Sequence, residues 1–60
     1  MKISEFENQY GVNLGEDVEA SIDGVQYYRA ADGTRIMITA GGILATVASV
    51  PPETVILEDD

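Results

Sequence analysis

The run Asp17-Val18-Glu19-Ala20-Ser21-Ile22-Asp23-Gly24-Val25-Gln26-Tyr27-Tyr28-Arg29 decides the fold. Polar and apolar side chains alternate from Asp17 to Ile22, the period of a half-buried strand. Asp23-Gly24 is hairpin chemistry, because a two-residue turn that matches strand twist needs positive φ. Val25 to Arg29 is rich in strand formers. The same punctuation recurs downstream. Asp32-Gly33 precedes Arg35-Ile36-Met37-Ile38-Thr39, and Gly41-Gly42 precedes Ile43 to Ser49. Pro51-Pro52 separates that stretch from a last short strand, Thr54-Val55-Ile56-Leu57, and the acidic end Glu58-Asp59-Asp60.

Each turn, read as a two-residue hairpin, fixes a register. Asp23-Gly24 pairs Ile22 with Val25, Ala20 with Tyr27 and Val18 with Arg29. Asp32-Gly33 pairs Arg29 with Ile36 and Tyr27 with Ile38. Gly41-Gly42 pairs Ala40 with Ile43, Ile38 with Ala45 and Ile36 with Val47. The three turns together predict a core face of Val18, Ala20, Ile22, Val25, Tyr27, Ile36, Ile38, Ile43, Ala45 and Val47, with Arg29 at its edge. The opposite face holds Glu19, Ser21, Gln26, Tyr28, Arg35, Met37, Thr39, Leu44 and Thr46.

Upstream, Ile3 to Tyr10 reads as a short helix. Ser4 is the expected N-cap, with Glu7 completing a capping box, and Gly11 is the natural stop. Ile3, Phe6 and Tyr10 share one face. A helix this short is not stable alone, so its stripe is expected on the sheet. The fold class is therefore mostly β (α+β): one small domain over residues 1–60, a helix over 3–10 and a five-stranded antiparallel meander over 17–58. Five short strands in a small bent sheet also suggest closure into an SH3-like or OB-like barrel.

The chain has 60 residues, no Cys, no His and a formal charge of −8. At this length only about 60% of the unfolded surface is buried, and no disulfide or Cys/His zinc site can add stability. Eleven acids face three bases, Lys2, Arg29 and Arg35. That balance argues against direct nucleic-acid binding, which draws on Lys and Arg to neutralise phosphates, and against anionic membrane surfaces. The longest uncharged run, Ile36 to Pro52, is shorter than the ~20 residues of a spanning helix and is broken by Gly and Pro. The N-terminal stretch lacks the apolar core of a signal peptide. A cytoplasmic protein is expected.

Catalytic chemistry is poorly provided for. A nucleophile needs an adjacent base, and there is no His or Cys. Glu16, Asp17 and Glu19 are close in sequence, but in a strand Asp17 and Glu19 project from a solvated face. Asp23 and Asp32 belong to turns and start no calcium-loop pattern. The glycines form no phosphate loop. No catalytic residue, metal site or cofactor is expected, and the chain reads as a non-enzyme.

Recognition remains. Tyr28, Met37 and Leu44 form an expected apolar patch rimmed by Glu19, Gln26 and Arg35, and Glu19, Tyr28, Arg35, Met37 and Leu44 are the expected partner-binding residues. The acidity fits solubility or a salty cytoplasm, a basic protein partner, or mimicry of DNA phosphates. The resulting expectation is a small acidic protein-binding module, an accessory factor or inhibitor of a basic protein partner in the style of phage or mobile-element proteins, with DNA mimicry as a special case. The alternative is a structural subunit working by self-assembly, a homo-oligomer, or as part of a larger complex.

Overall fold

The computed structural model describes residues 1–60. A helix, α1 (Ile3–Tyr10), precedes five strands: β1 (Ala20–Ile22), β2 (Val25–Arg29), β3 (Arg35–Ile38), β4 (Leu44–Val47) and β5 (Glu53–Ile56). The strands form one antiparallel sheet in sequence order. No pairing joins β1 to β5, so the sheet stays open and is not a hydrogen-bonded barrel. Beyond β5 the first residues add a short parallel bridge, Lys2 to Glu58. There the Ile3 N–H donates to the Glu58 carbonyl at 3.0 Å and the Glu58 N–H to the Met1 carbonyl at 2.9 Å.

The helix has the expected limits but not the expected cap. Lys2 is the N-cap residue, and the Glu5 carboxylate reaches back to its N–H at 3.3 Å. Ser4 lies inside the first turn, where its N–H is taken by Asp60 Oδ1 at 3.0 Å. Glu7 caps nothing; its Oε2 accepts the Leu14 N–H at 2.8 Å. Gly11 ends the helix in the left-handed region, φ 64°, as expected of a C-terminal glycine. The stripe docks on the sheet as its spacing requires: Phe6 is fully buried, with Ile3 and Tyr10 packed beside it, and the Phe6 and Tyr10 rings lie 4.6 Å apart.

The third turn sets the expected register, and the first does so from Ala20 to Ile22, while the expected Val18–Arg29 pair does not form. Ala20 pairs with Tyr27 and Ile22 with Val25, across a turn with Asp23 at φ 53° and Gly24 at φ 80°. Ile36 pairs with Val47 and Ile38 with Ala45. The middle turn corrects the sequence reading. Its loop has three residues, Ala31-Asp32-Gly33: the Ala30 N–H bonds to the Thr34 carbonyl at 2.8 Å and the Gly33 N–H to the Ala30 carbonyl at 2.9 Å. Asp32 Oδ1 holds the Thr34 N–H at 2.9 Å, and the same bond holds the Asp32 carboxyl below its usual pKa. Tyr28 therefore faces Ile36, and Tyr27 faces Met37.

A one-residue slip moves a strand's side chains to the other face. The two halves of the expected core accordingly separate. Ile36, Ile38, Ala45 and Val47 are buried, joined by Tyr28, Phe6, Val12, Ala30 and Leu57. Ala20, Ile22, Val25 and Tyr27 face away from that core, and no residue of β1 is buried. Val18 is exposed in the approach to β1. Ile43 shares the side of Ala45 and Val47 but stands exposed just before β4 begins.

Candidate functional site

The sheet has a covered face and a bare one. Helix α1, the segment containing Val12 and Leu14, and Leu57 cover the first. Nothing in the chain covers the second. Strand pairing arranges its outward side chains in three rows. The central row is Ala20–Tyr27–Met37–Thr46–Thr54. One flanking row joins Ile22 and Val25 on one side to Leu44 and Ile56 on the other. The other row is Arg29 opposite Arg35, with Ala48 beyond, whose N–H donates to the Arg35 carbonyl at 2.8 Å.

An antiparallel sheet with one solvated face normally alternates apolar-in with polar-out. Here the outward rows are mostly apolar. Met37 is 40% exposed, Ile22 57% and Ile56 63%. None of the positions in these rows carries a carboxylate, although the chain has eleven. Ala20, Ile22, Tyr27 and Met37 line a shallow groove that ends against Arg29 and Arg35.

Glu19 reaches this face through an irregularity. Its N–H bonds to the Tyr27 carbonyl at 2.8 Å while Ala20 already pairs with Tyr27. Two residues thus share one partner, the pattern of a β-bulge, which re-aims a side chain. Glu19 Oε2 lies 3.5 Å from Arg29 Nε, with both side chains half-exposed. That pair relieves the like-charge contact of Arg29 with Arg35, which is unfavourable for residues directly opposite. Arg35 has no ion-pair partner in the chain.

Of the expected partner-binding residues, the structure gathers Arg35, Met37 and Leu44 on the bare face and Glu19 at its rim. Tyr28 is a correction: it is 2% exposed in the core. Its hydroxyl donates to the Leu14 carbonyl at 2.7 Å, with the Gln26 side-chain oxygen 3.0 Å away. Burial first, and then the Glu7 charge, push its pKa up. Tyr27, Ile22 and Ile56 take its place on the bare face. Sequence reasoning missed Tyr27 and Ile22 because adjacent tyrosines exchange roles when the register moves by one residue, and Ile56 because no turn fixed the register of the last strand.

Elsewhere the exposed apolar side chains, Val18, Ile43 and Val50 among them, are not gathered into the outward rows. A concavity at the start of α1 is lined by Ser4, Glu5, Glu7 and Asn8. A third lies between the end of α1 and Ala30-Ala31-Asp32. No three acidic side chains converge as a metal site, and no helix is long and apolar enough to cross a membrane. Comparison with family models, with curated proteins and with solved structures finds no match to this chain.

Proposed function

We propose that the protein is a small non-enzymatic binding module, an accessory factor or inhibitor of the kind that phages and mobile elements supply, acting on a protein partner with a basic surface. One observation carries this reading: charge is segregated. The bare sheet face holds both arginines and, at its rim, the single carboxylate of Glu19, so the rest of the chain bears a formal charge of about −9. Such a field draws in basic surfaces and accelerates encounter. The apolar face is a separate contact surface with the make-up of an interface, apolar at its centre and charged at its rim. Working as a structural subunit by self-assembly is the second reading, favoured by that same uncovered face.

The test is affinity purification of the tagged protein from cells that naturally make it, at low and at high salt. A stoichiometric protein with a basic surface, released by salt, is the expected result. Release by added DNA as well identifies the captured surface as a nucleic-acid site. No retained protein at low salt, or a partner held equally at all salt concentrations, contradicts the proposal.

A further inference from the structure

The layout of charge along the bare face selects its occupant. Resting on the reading of that face as a contact surface, we infer that it receives a second copy of the chain, packed sheet on sheet about a two-fold axis that runs across the strands. Arg29 and Arg35 mark the end of the face beside the β2–β3 loop, and Asp23 marks the other end, in the β1–β2 turn. An axis across the strands lays the arginine end of each copy over the Asp23 end of the other. An axis along the strands would stack four guanidinium groups together. Arg35, unpaired within its own chain, gains a carboxylate only in the first arrangement.

The remaining charge agrees. Two chains of −8 repel, and at the bare face the carboxylates that come close, Asp23 and the rim Glu19, are set beside Arg35 and Arg29. Area agrees as well. One side of a body 25 × 24 × 21 Å with 3989 Å² of surface offers at most about 650 Å², below the ~800 Å² per partner of a standard interface but enough for one at the small end of the specific range. The product has four layers, helix, sheet, sheet and helix, and each sheet then has both faces covered. Met37, in the middle strand, lies near the axis and meets its counterpart.

Light scattering of the purified full chain, from micromolar to millimolar concentration, tests this. The wild type should form a dimer, and Met37→Glu should raise its dissociation constant about tenfold or more, with an unchanged circular dichroism spectrum. Should Met37→Glu fold poorly, the exposed Arg35→Gln serves in its place. Arg35→Gln and Asp23→Asn should each weaken the dimer, and together do no more than either alone, because they remove the same contact. A monomer throughout, or a dimer indifferent to Met37→Glu and Arg35→Gln, overturns the inference, and additive effects of the two charge variants overturn the orientation. A monomeric wild type that still binds a basic protein in a salt-sensitive way also overturns it, while leaving the binding-module reading in place.

Discussion

The Tyr28 hydroxyl donates a 2.7 Å hydrogen bond to the Leu14 carbonyl, and the N–H of the same Leu14 is held by Glu7 at 2.8 Å. One strand and one helix thus grip both polar groups of a single backbone residue. The segment between α1 and β1 has no regular structure of its own, and this grip seats it over the core. The turn beside it is self-braced: Asp17 Oδ2 takes the Asn13 N–H at 2.8 Å, and Asn13 Oδ1 takes the Gly15 and Glu16 N–H groups at 2.9 and 3.2 Å.

Tyr28→Phe keeps the ring in the core and leaves the Leu14 carbonyl short of a donor. A loss of about 1 kcal/mol is expected, read as a lower urea midpoint. The variant should also change the alkaline limb of stability. The folded-state pKa of Tyr28 is raised above the ordinary 10.0 by burial, with the Glu7 charge adding to it. The folded state therefore holds the proton more tightly than the unfolded state. Stability is full below about pH 10 and falls as pH rises toward the folded pKa. Tyr28→Phe should flatten that decline, leaving the part due to Tyr10, whose pKa is raised by burial and by its bond to Glu53. An unchanged alkaline limb contradicts the burial of Tyr28.

Gly11 and Gly33 separate two costs. Both have positive φ, 64° and 92°. A Cβ at Gly33 meets nothing within 4 Å, whereas one at Gly11 comes within 2.8 Å of the Ala31 Cβ. Gly33→Ala should cost about 1–2 kcal/mol from backbone strain. Gly11→Ala should cost more, because the helix end must also part from Ala31, whose N–H bonds to the Tyr10 carbonyl at 3.0 Å. Equal urea midpoints for the two variants would show that this close approach is absent.

Salt should stabilise the fold. The single ion pair, Glu19–Arg29, is half-exposed and worth about 0–1 kcal/mol at most, while eleven acids against three bases repel one another. Screening tightens from about 30 Å at 0.01 M to about 10 Å at 0.1 M. Tm should therefore rise with NaCl, most steeply in the low range. A fall in Tm on reaching 0.1 M contradicts the repulsion argument.

The order of elements was legible because hydrophobic period and turn chemistry are local. Ile3 to Tyr10 has one apolar stripe and a glycine stop, and Asp23-Gly24 dictates a tight turn whatever surrounds it. The faces were less legible. Asp32-Gly33 is compatible with a two- or a three-residue loop, and the choice rests on the bonds from Ala30 to Thr34 and from Thr34 to Asp32. That single residue exchanges Tyr28 for Tyr27, and it sends Ala20 and Ile22 away from the core. The helix cap was hidden for another reason. Ser4 followed by Glu7 is a sound local signal, but the partner of the Ser4 N–H is Asp60, 56 residues away. Met37, Leu44 and Arg35 lie on the outer face as the sequence implies, since the third turn and the β3 alternation both hold.

The most direct test of the account compares two methionines. Met1 and Met37 are almost equally exposed in the single chain, 38% and 40%, but only Met37 lies on the bare face. Oxidation by dilute peroxide, followed by mass spectrometry at low and at high protein concentration, reads the two side by side. Met37 should be oxidised at a rate close to that of Met1 in dilute solution and be selectively protected as concentration rises. A Met37-to-Met1 ratio that does not change with concentration would contradict the claim that this face is a contact surface between copies.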